Sequence, residues 1–329
     1  MNTKESVLKI LYNSSEAVSG EAIAKELGIS RNSVWKAVNQ LKKDGYTIHS
    51  VPNKGYLLIQ EDILDECSIQ KHLNKKARLY IYKKESSSNT VAKELCQRGE
   101  GEGSVVIVES QTNGRGRMGR SFISDGKNGL YMSIILRPKI QADKCVNITV
   151  MTAVSVLEAV EEVTGVPCQI KWINDIYIND KKCCGILTEA STDFESGSLH
   201  YAIVGIGINL CQPKGGFPQE IKDIACGIYE GEEYPKGTKA KLCAKIIDVF
   251  FKYYEEYNGN EENNYIKKYK EKSNILGKLV DVYVGGSVVS GTAIDIDNSA
   301  SLIVKDTQGK IHSFNSGEAR VRAQGAKLS

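Results

Sequence analysis

Gln111-Thr112-Asn113-Gly114-Arg115-Gly116-Arg117-Met118-Gly119-Arg120 is the stretch on which the reading of this chain turns. Gly114, Gly116 and Gly119 satisfy G-x-G-x-x-G behind an apolar run, so a dinucleotide-binding turn is the first possibility to weigh. Such a turn opens directly into a helix whose N-terminus faces the pyrophosphate. Here the chain runs on through Ser124-Asp125-Gly126-Lys127-Asn128-Gly129 into another apolar run at 131–136, and no acidic residue ends a strand at the expected distance. A Rossmann domain is therefore rejected. The Gly-Arg alternation has chemistry of its own. Glycines let backbone N–H groups approach an anion closely. Arg115, Arg117 and Arg120 add planar guanidinium forks suited to phosphate or carboxylate. Three such charges repel one another, so the loop is expected to be mobile when empty, and ordering it costs roughly 1–2 kcal/mol per residue. A nonspecific RNA-binding Arg-Gly segment is the competing reading; one short copy beside a strand argues against it.

Around this loop, residues 64–272 mix both hydrophobic periods. Helices are expected at 89–99, 147–164 and 239–257, and strands at 104–108, 131–136, 169–172, 176–178, 183–189 and 201–208. Several strands follow one another without a helix between them, which predicts a mixed α/β sheet rather than a doubly wound one. Two segments stand out. Lys171-Trp172-Ile173-Asn174-Asp175 puts a lysine and a carboxamide–carboxylate pair at a strand end, although the spacing alone suits a plain hairpin turn with a solvated lysine equally well. Gly205-Ile206-Gly207-Ile208-Asn209 is a strand with two glycines. Glycine weakens a strand, so something approaches that backbone closely.

Residues 1–63 read differently. Helices are expected at 5–12, Gly20–Leu27 and Arg31–Lys43, with Ser19 and Ser30 as caps and Gly28 as a stop. Strands at 46–51 and 55–59 flank the turn Pro52-Asn53-Lys54-Gly55. The tight link Leu27-Gly28-Ile29-Ser30 is a helix-turn-helix signature, and the added hairpin makes a winged helix. The third helix carries Arg31, Lys36, Lys42 and Lys43 and no acid before Asp44. Arg31, Asn32 and Ser33 stand at its start, where a recognition helix meets base edges, and Lys54 at the wing tip suits a phosphate. Ser19, Gly20 and Ser30 complete the expected DNA-facing set. A winged helix used only for packing or protein contact is the alternative. Residues 273–329 show short strands with glycine turns at Leu279–Val284, 288–296, 301–305 and Ile311–Phe314, the spacing of a small β-barrel.

Composition bounds the rest. A chain of 329 residues exceeds one typical domain. The formal net charge is only +3, so any nucleic-acid reading must rest on a local patch. The nine cysteines form no C-x-x-C and the four histidines are scattered, which argues against a zinc site and for reduced, buried thiols in the cytoplasm. Cys183-Cys184 are expected in a strand as small hydrophobes. The chain starts on an amphipathic pattern rather than a signal-peptide core. The apolar run 146–160 is interrupted by Asn147, Thr149, Thr152, Ser155 and Glu158 and reads as a core helix, so no membrane contact is expected.

Taken in order, these segments resemble the biotin protein ligase family in its longer form fused to a winged helix. The resemblance rests on Val51-Pro52-Asn53-Lys54-Gly55-Tyr56, Ser87-Ser88-Asn89, Gln111 with the glycine-arginine loop, Lys171-Trp172-Ile173-Asn174-Asp175, Gly185-Ile186-Leu187 with Glu189, Gly205–Asn209, and Gly317-Glu318 with Arg322. It implies that biotin reacts with ATP to give biotinyl-5'-adenylate and pyrophosphate, with Mg²⁺ present. A lysine of a biotin carboxyl carrier protein then takes the biotinyl group. It implies catalytic roles for Arg115, Arg117 and Lys171. It implies a biotin site of Ser87, Ser88, Asn89, Gln111, Gly114, Arg115, Gly116, Arg117, Lys171, Gly185, Leu187, Gly205 and Gly207. Arg117, Arg120, Phe122, Lys171, Asn174, Asn209 and Arg322 are implied for the adenylate. It further implies a homodimer on adenylate binding, with biotinyl-adenylate as corepressor at operator DNA. The sequence departs from the family pattern where Ile173 replaces proline, Met118 a basic or polar residue, Phe122 tryptophan and Ser88 threonine. The sister lipoate and octanoate transferases, a ligase with an inactive winged helix, and a pure sensor-regulator are the alternatives.

Overall fold

Hydroxyl caps start two of the N-terminal helices, and a left-handed glycine stops one of them. Ser19 accepts from Ala22 N and starts α2 (Gly20–Leu27); Gly28, at φ 64°, ends it with its N–H on Ala24 O and Lys25 O. Ser30 accepts from Ser33 N and starts α3 (Arg31–Lys43). The preceding α1 (Thr3–Tyr12) is closed by a capping box between Asn2 and Glu5. The hairpin β1 (Ile48–Val51) and β2 (Gly55–Leu58) follows, then the short α4 (Glu66–Gln70). Val7, Leu8, Leu11, Ile23, Val34, Val38, Leu41 and Leu58 form one buried core. The hairpin docks through Val18 N on Tyr56 O (2.9 Å) and Tyr56 N on Val18 O (2.8 Å).

This computed structural model describes residues 2–59, 64–124, 126, 128–192, 195, 197–259 and 264–322. Asp125 and Lys127 of the run-on segment, residues 60–63 before the expected boundary, and 323–329 at the end of the expected barrel lie outside the described residues. The chain divides into two compact units, Met1–Leu73 with Pro235–Ala244, and Asn74–Tyr234 with Lys245–Ser329.

The second unit is built on a seven-stranded sheet. Its strands are β3 (Leu79–Glu85), β4 (Val105–Gln111), β5 (Gly129–Leu136), β6 (Gln169–Lys171), β7 (Asp175–Ile178), β8 (Lys181–Thr192) and β9 (Leu199–Asn209), in the order β3-β4-β5-β9-β8-β7-β6. Only β3 and β4 pair parallel, so the sheet is mixed, as the adjacency of strands predicted. Its middle strands are nearly all buried because helices cover both faces. On one side α5 (Ser88–Gln97) lays Val91, Ala92 and Cys96 on Val106, Val108, Ile135, Tyr201 and Ile203. On the other, α6 (Cys145–Thr164) meets the sheet where Thr149 Oγ1 lies 2.7 Å from Thr188 Oγ1. This is the expected core helix, buried at every position from Asn147 to Leu157. Each of its fully buried valines and leucines contributes about 1.5–3 kcal/mol. The helices α7 (Thr238–Gly259) and α8 (Asn264–Glu271) follow. No helix among the described residues is long and apolar enough to cross a membrane.

The same unit holds a five-stranded antiparallel sheet of β10 (Leu279–Val284), β11 (Ser287–Ile296), β12 (Leu302–Asp306), β13 (Ile311–Phe314) and β14 (Glu318–Val321), in the order β13-β12-β11-β10-β14. Closure into the expected barrel would need β13 to pair with β14, and the ladders among the described residues do not include that pair. Trp172 Nε1 donates to Ala300 O (3.1 Å), joining the Lys-Trp segment to this sheet. Four elements escaped the sequence reading: β3, α4, α8 and β14. In β3 no residue is fully buried and Lys83-Lys84 follow the apolar start, so an edge strand carries little alternation.

Candidate functional site

Strand register builds a hollow on the α5 face of the large sheet. Tyr131, Gly207 and Gly185 align across β5, β9 and β8, and Ser133, Gly205 and Leu187 form the next row. Where side chains should stand, two glycines of β9 leave a gap. Other groups of the chain reach into it. A Cβ on Gly205 would stand 2.3 Å from Asn89 Oδ1, and one on Gly207 would stand 2.8 Å from Phe122 Cε1. The close approach read from the glycines is therefore real, and it is made by an amide and an aromatic ring. Phe122 also packs edge-on to Tyr131, with ring centroids 6.3 Å apart.

Part of the cavity wall is polar and tightly wired. Ser133 Oγ donates to Asn89 Oδ1 (2.6 Å) and lies 2.7 Å from Ser88 Oγ. Asn89 Nδ2 donates to Glu189 Oε2 (2.6 Å). Ser88 N donates to Gln111 Oε1 (2.7 Å), and Gln111 Nε2 donates to Ser124 Oγ (3.0 Å). Ser87, Ser88, Asn89 and Gln111 are all buried. A buried network of this kind holds each amide in one orientation.

The glycine-arginine loop walls the cavity as well, joined to this network where Glu189 Oε2 accepts from both Asn89 and Arg115. It is a tight hairpin: Phe122 N donates to Gly114 O (2.8 Å) and Gly116 N to Arg120 O (2.7 Å). Met118, exposed and at φ 56°, makes its apex. Each arginine has a tether inside the chain, which offsets their mutual repulsion. Arg115 pairs with Glu189 (3.1 Å). Arg117 donates to Asn174 Oδ1 (3.0 Å) and Gly317 O (3.4 Å). Arg120 pairs with Glu318. Burial pulls the Arg117 guanidinium below its ordinary value, with Asp175, Tyr269 and Glu318 acting against that. Burial alone would raise Glu318, but bonds from Arg120 and Arg320 outweigh it and leave the carboxyl below its usual range.

Of the expected site residues, Ser87, Ser88, Asn89, Gln111, Arg115, Gly116, Arg117, Phe122, Asn174, Gly185, Leu187, Gly205 and Gly207 line this one cavity. Gly114 and Arg120 line an adjoining recess on the loop, with Arg115, Arg117 and Glu189. Lys171 is not on the lining of either; its ammonium bonds Tyr177 Oη (3.3 Å) and sits 5.2 Å from that ring's centroid. Burial pulls it below the ordinary lysine value, against Asp175 and Glu318. Asn209 ends β9 opposite Gly129, outside both linings. Arg322 is engaged in the small sheet, where Nε donates to both oxygens of Asp281 (2.8 Å each) and a terminal nitrogen to Ser290 Oγ (2.9 Å).

Lys182 was missed. It lines the cavity, pairs with Asp175 (2.7 Å), and its Nζ would be 3.0 Å from a Cβ on Gly185. The sequence signal was the glycine three residues on, whose missing Cβ makes room for this ammonium. Glu189, quoted in the motif without a role, anchors both Asn89 and Arg115.

In the other unit, Ser19 and Ser30 act as helix caps. Gly20 lets the Tyr56 ring approach to 3.3 Å of where its Cβ would be. Arg31, Asn32 and Lys36 are exposed on α3, with Ser33 half-buried beside them, and Lys54 is exposed in the hairpin turn.

Comparison with known proteins bears on both units. The profile described as the biotin/lipoate A/B protein ligase family matches residues 81–209, which span the cavity, and one described as an HTH domain matches residues 3–57. The bifunctional ligase/repressor BirA of Bacillus subtilis (strain 168) is 36% identical over 306 residues, covering 91% of this chain and 93% of the relative. The biotin–[acetyl-CoA-carboxylase] ligase of Mycobacterium tuberculosis is 25% identical, covering 66% of this chain and 78% of the relative. Among solved structures, the biotin protein ligase from Aquifex aeolicus in complex with biotin and ATP superposes with a TM-score of 0.63 at 28% identity, covering 74% of this chain and 98% of that one. On these grounds the chain belongs to the biotin/lipoate A/B protein ligase family, in a form that carries an N-terminal helix-turn-helix domain.

Proposed function

We propose that this chain is a biotin protein ligase and, through its helix-turn-helix, a biotin-responsive repressor. The observation that carries the reading is the cavity: a glycine floor, a buried hydroxyl–amide network, and two arginines of the loop, one of them joined to that network through Glu189. Biotin carries the two matching kinds of group, a neutral ureido ring and a carboxylate. Ser88, Asn89 and Gln111 hold the ring's polar groups, and Arg115 and Arg117 take the carboxylate. The carboxylate oxygen attacks the α-phosphorus of ATP, that P–O bond forms, and the bond to pyrophosphate breaks. Arg117, Lys171 and Lys182 offset charge on the phosphate as it develops. A carrier lysine then attacks the activated carbonyl, forming the amide, and AMP leaves with the adenylate bond electrons while the amine loses a proton. The Mycobacterium relative's name points to a carrier domain of acetyl-CoA carboxylase.

Magnesium is expected with the nucleotide. No group of three or more His, Cys, Asp or Glu placed to hold a metal is found among the described residues, which fits an ion held mainly by phosphates and water. The nine free thiols suit a reducing cytoplasm. We read the small sheet as the family's barrel, with Arg322 reaching the nucleotide or bracing the catalytic domain.

Biotin-dependent ATP–pyrophosphate exchange tests the enzyme. Wild type exchanges with biotin, and Arg117→Ala loses about 10²–10³-fold. Exchange with lipoate or octanoate instead of biotin would move the chain to the sister activity, and silence with every acid would leave a sensor-regulator. Shifted mobility of duplex from upstream of biotin genes tests the repressor arm; no shift would leave a ligase with an inactive winged helix.

A further inference from the structure

The helix α3 carries a side chain that the fold does not explain. Trp35 is 54% exposed, and among the described residues it is the one exposed large hydrophobic in its unit. Val34, Ala37, Val38 and Leu41 face the core. Asn32, Trp35, Lys36, Asn39 and Lys43 then fall at i, i+3, i+4, i+7 and i+11, a single stripe on the remaining face. Helix α3 contains no acidic residue, and the Asp44 that follows it is bonded to Lys4 and Gln40. The stripe therefore suits a polyanion, and a bare indole on it needs an apolar partner.

We infer that Trp35 contacts a thymine methyl in the DNA major groove, making α3 selective for A·T pairs. This rests on the repressor reading above. The 5-methyl of thymine is the apolar group that base edges present in that groove, and asparagines, present here as Asn32 and Asn39, pair with adenine edges. The indole N–H is a donor for a neighbouring base acceptor. A protein partner would need an acidic surface to meet Lys36 and Lys43, since Arg31 already lies 3.8 Å from Glu21. The duplex meets those charges with phosphates and the indole with a methyl at the same time.

The test uses the full-length protein with biotin, ATP and Mg²⁺, and a random duplex library of about 30 base pairs, long enough for two half-sites. Wild type should enrich a motif with a fixed thymine. Replacing that thymine by deoxyuridine removes only the methyl, and should weaken binding about fivefold. Trp35→Ala should bind thymine and uracil duplexes equally, and Trp35→Phe should recover part of the difference. Lys54→Ala should lose affinity for all sequences yet keep the preference. Emission gives a second readout, since Trp172 is only 3% exposed and bonded to Ala300. Saturating duplex should quench the exposed tryptophan, and the quench should vanish in Trp35→Phe. Should Trp35→Ala discriminate thymine from uracil as wild type does, the inference falls and DNA binding stands. Should wild type bind nothing in the library, both fall.

Discussion

Gly207 shows how a single missing side chain opens the cavity. Any Cβ there meets the Phe122 ring at 2.8 Å, and the ring packs edge-on to Tyr131, the cross-strand neighbour of Gly207. Gly207→Val should therefore swing Phe122 out, cost about 1–3 kcal/mol in stability, and weaken biotin binding more than tenfold by calorimetry. Unchanged affinity would mean that biotin sits elsewhere. Lys171 gives a pH-dependent prediction. Its ammonium is held below the ordinary lysine value by burial, so it loses its charge earlier as pH rises. If the charged form offsets phosphate charge, exchange must fall on the alkaline side below the ordinary value of about 10.4. Lys171→Arg should remove that limb, at a reduced rate, because guanidinium stays charged. Identical alkaline limbs would deny Lys171 the role. The glycines were legible because glycine in a strand always asks for a reason. Lys182 and Glu189 were not, because a charged residue on a strand looks the same whether it faces water or a cavity. The partner that decides between the two comes from elsewhere in the chain, Asp175 for one and Asn89 and Arg115 for the other.

At the scale of elements, legibility followed where the signal was local. The bounds of α2 and α3 were readable to the residue because Ser19, Gly28 and Ser30 are caps and a stop written beside them. The small sheet was readable as strands and turns, but β14 was not, since Glu318–Val321 is a strand only by virtue of β10 beside it. That pairing brings Arg322 to Asp281, a contact no spacing announces. Burial acts against it, but the bond from Arg322 is the larger effect and holds the Asp281 carboxyl below its ordinary range. A carboxylate whose folded value is depressed adds stability above its unfolded value, about 3.9, and loses it as pH falls through the folded value. Arg322→Ala should thus melt below wild type at pH 7, and the gap should close as pH drops below about 4. Melting curves against pH for the two proteins check this, and a gap that stays constant to the lowest pH would mean that the pair is not what Arg322 contributes.

For the whole molecule, the proposed repressor role requires that biotin bound at the cavity be felt by the helix-turn-helix unit. The loop arginines are tied to three separate places: Glu189 on β8, Asn174 beside β7, and Gly317 with Glu318 at β14. If an adenylate binds as proposed, its phosphate competes for those same guanidinium groups. Binding of that kind would exchange tethers, and the surface of the loop would change with them. If the changed surface favours a homodimer, as the repressor reading requires, the coupling is reciprocal. Biotinyl-adenylate should tighten dimerisation by some factor, and dimerisation should tighten adenylate binding by the same factor, typically 5–150-fold. Sedimentation with and without adenylate gives the first number; adenylate affinity at protein concentrations below and above the dimerisation constant gives the second. Agreement would make the loop the link between ligase and repressor. Carrier protein would then weaken repression simply by consuming adenylate, because each transfer returns the arginines to their tethers. Equal dimerisation constants with and without adenylate would break that link, and the two units would have to respond to biotin by another route.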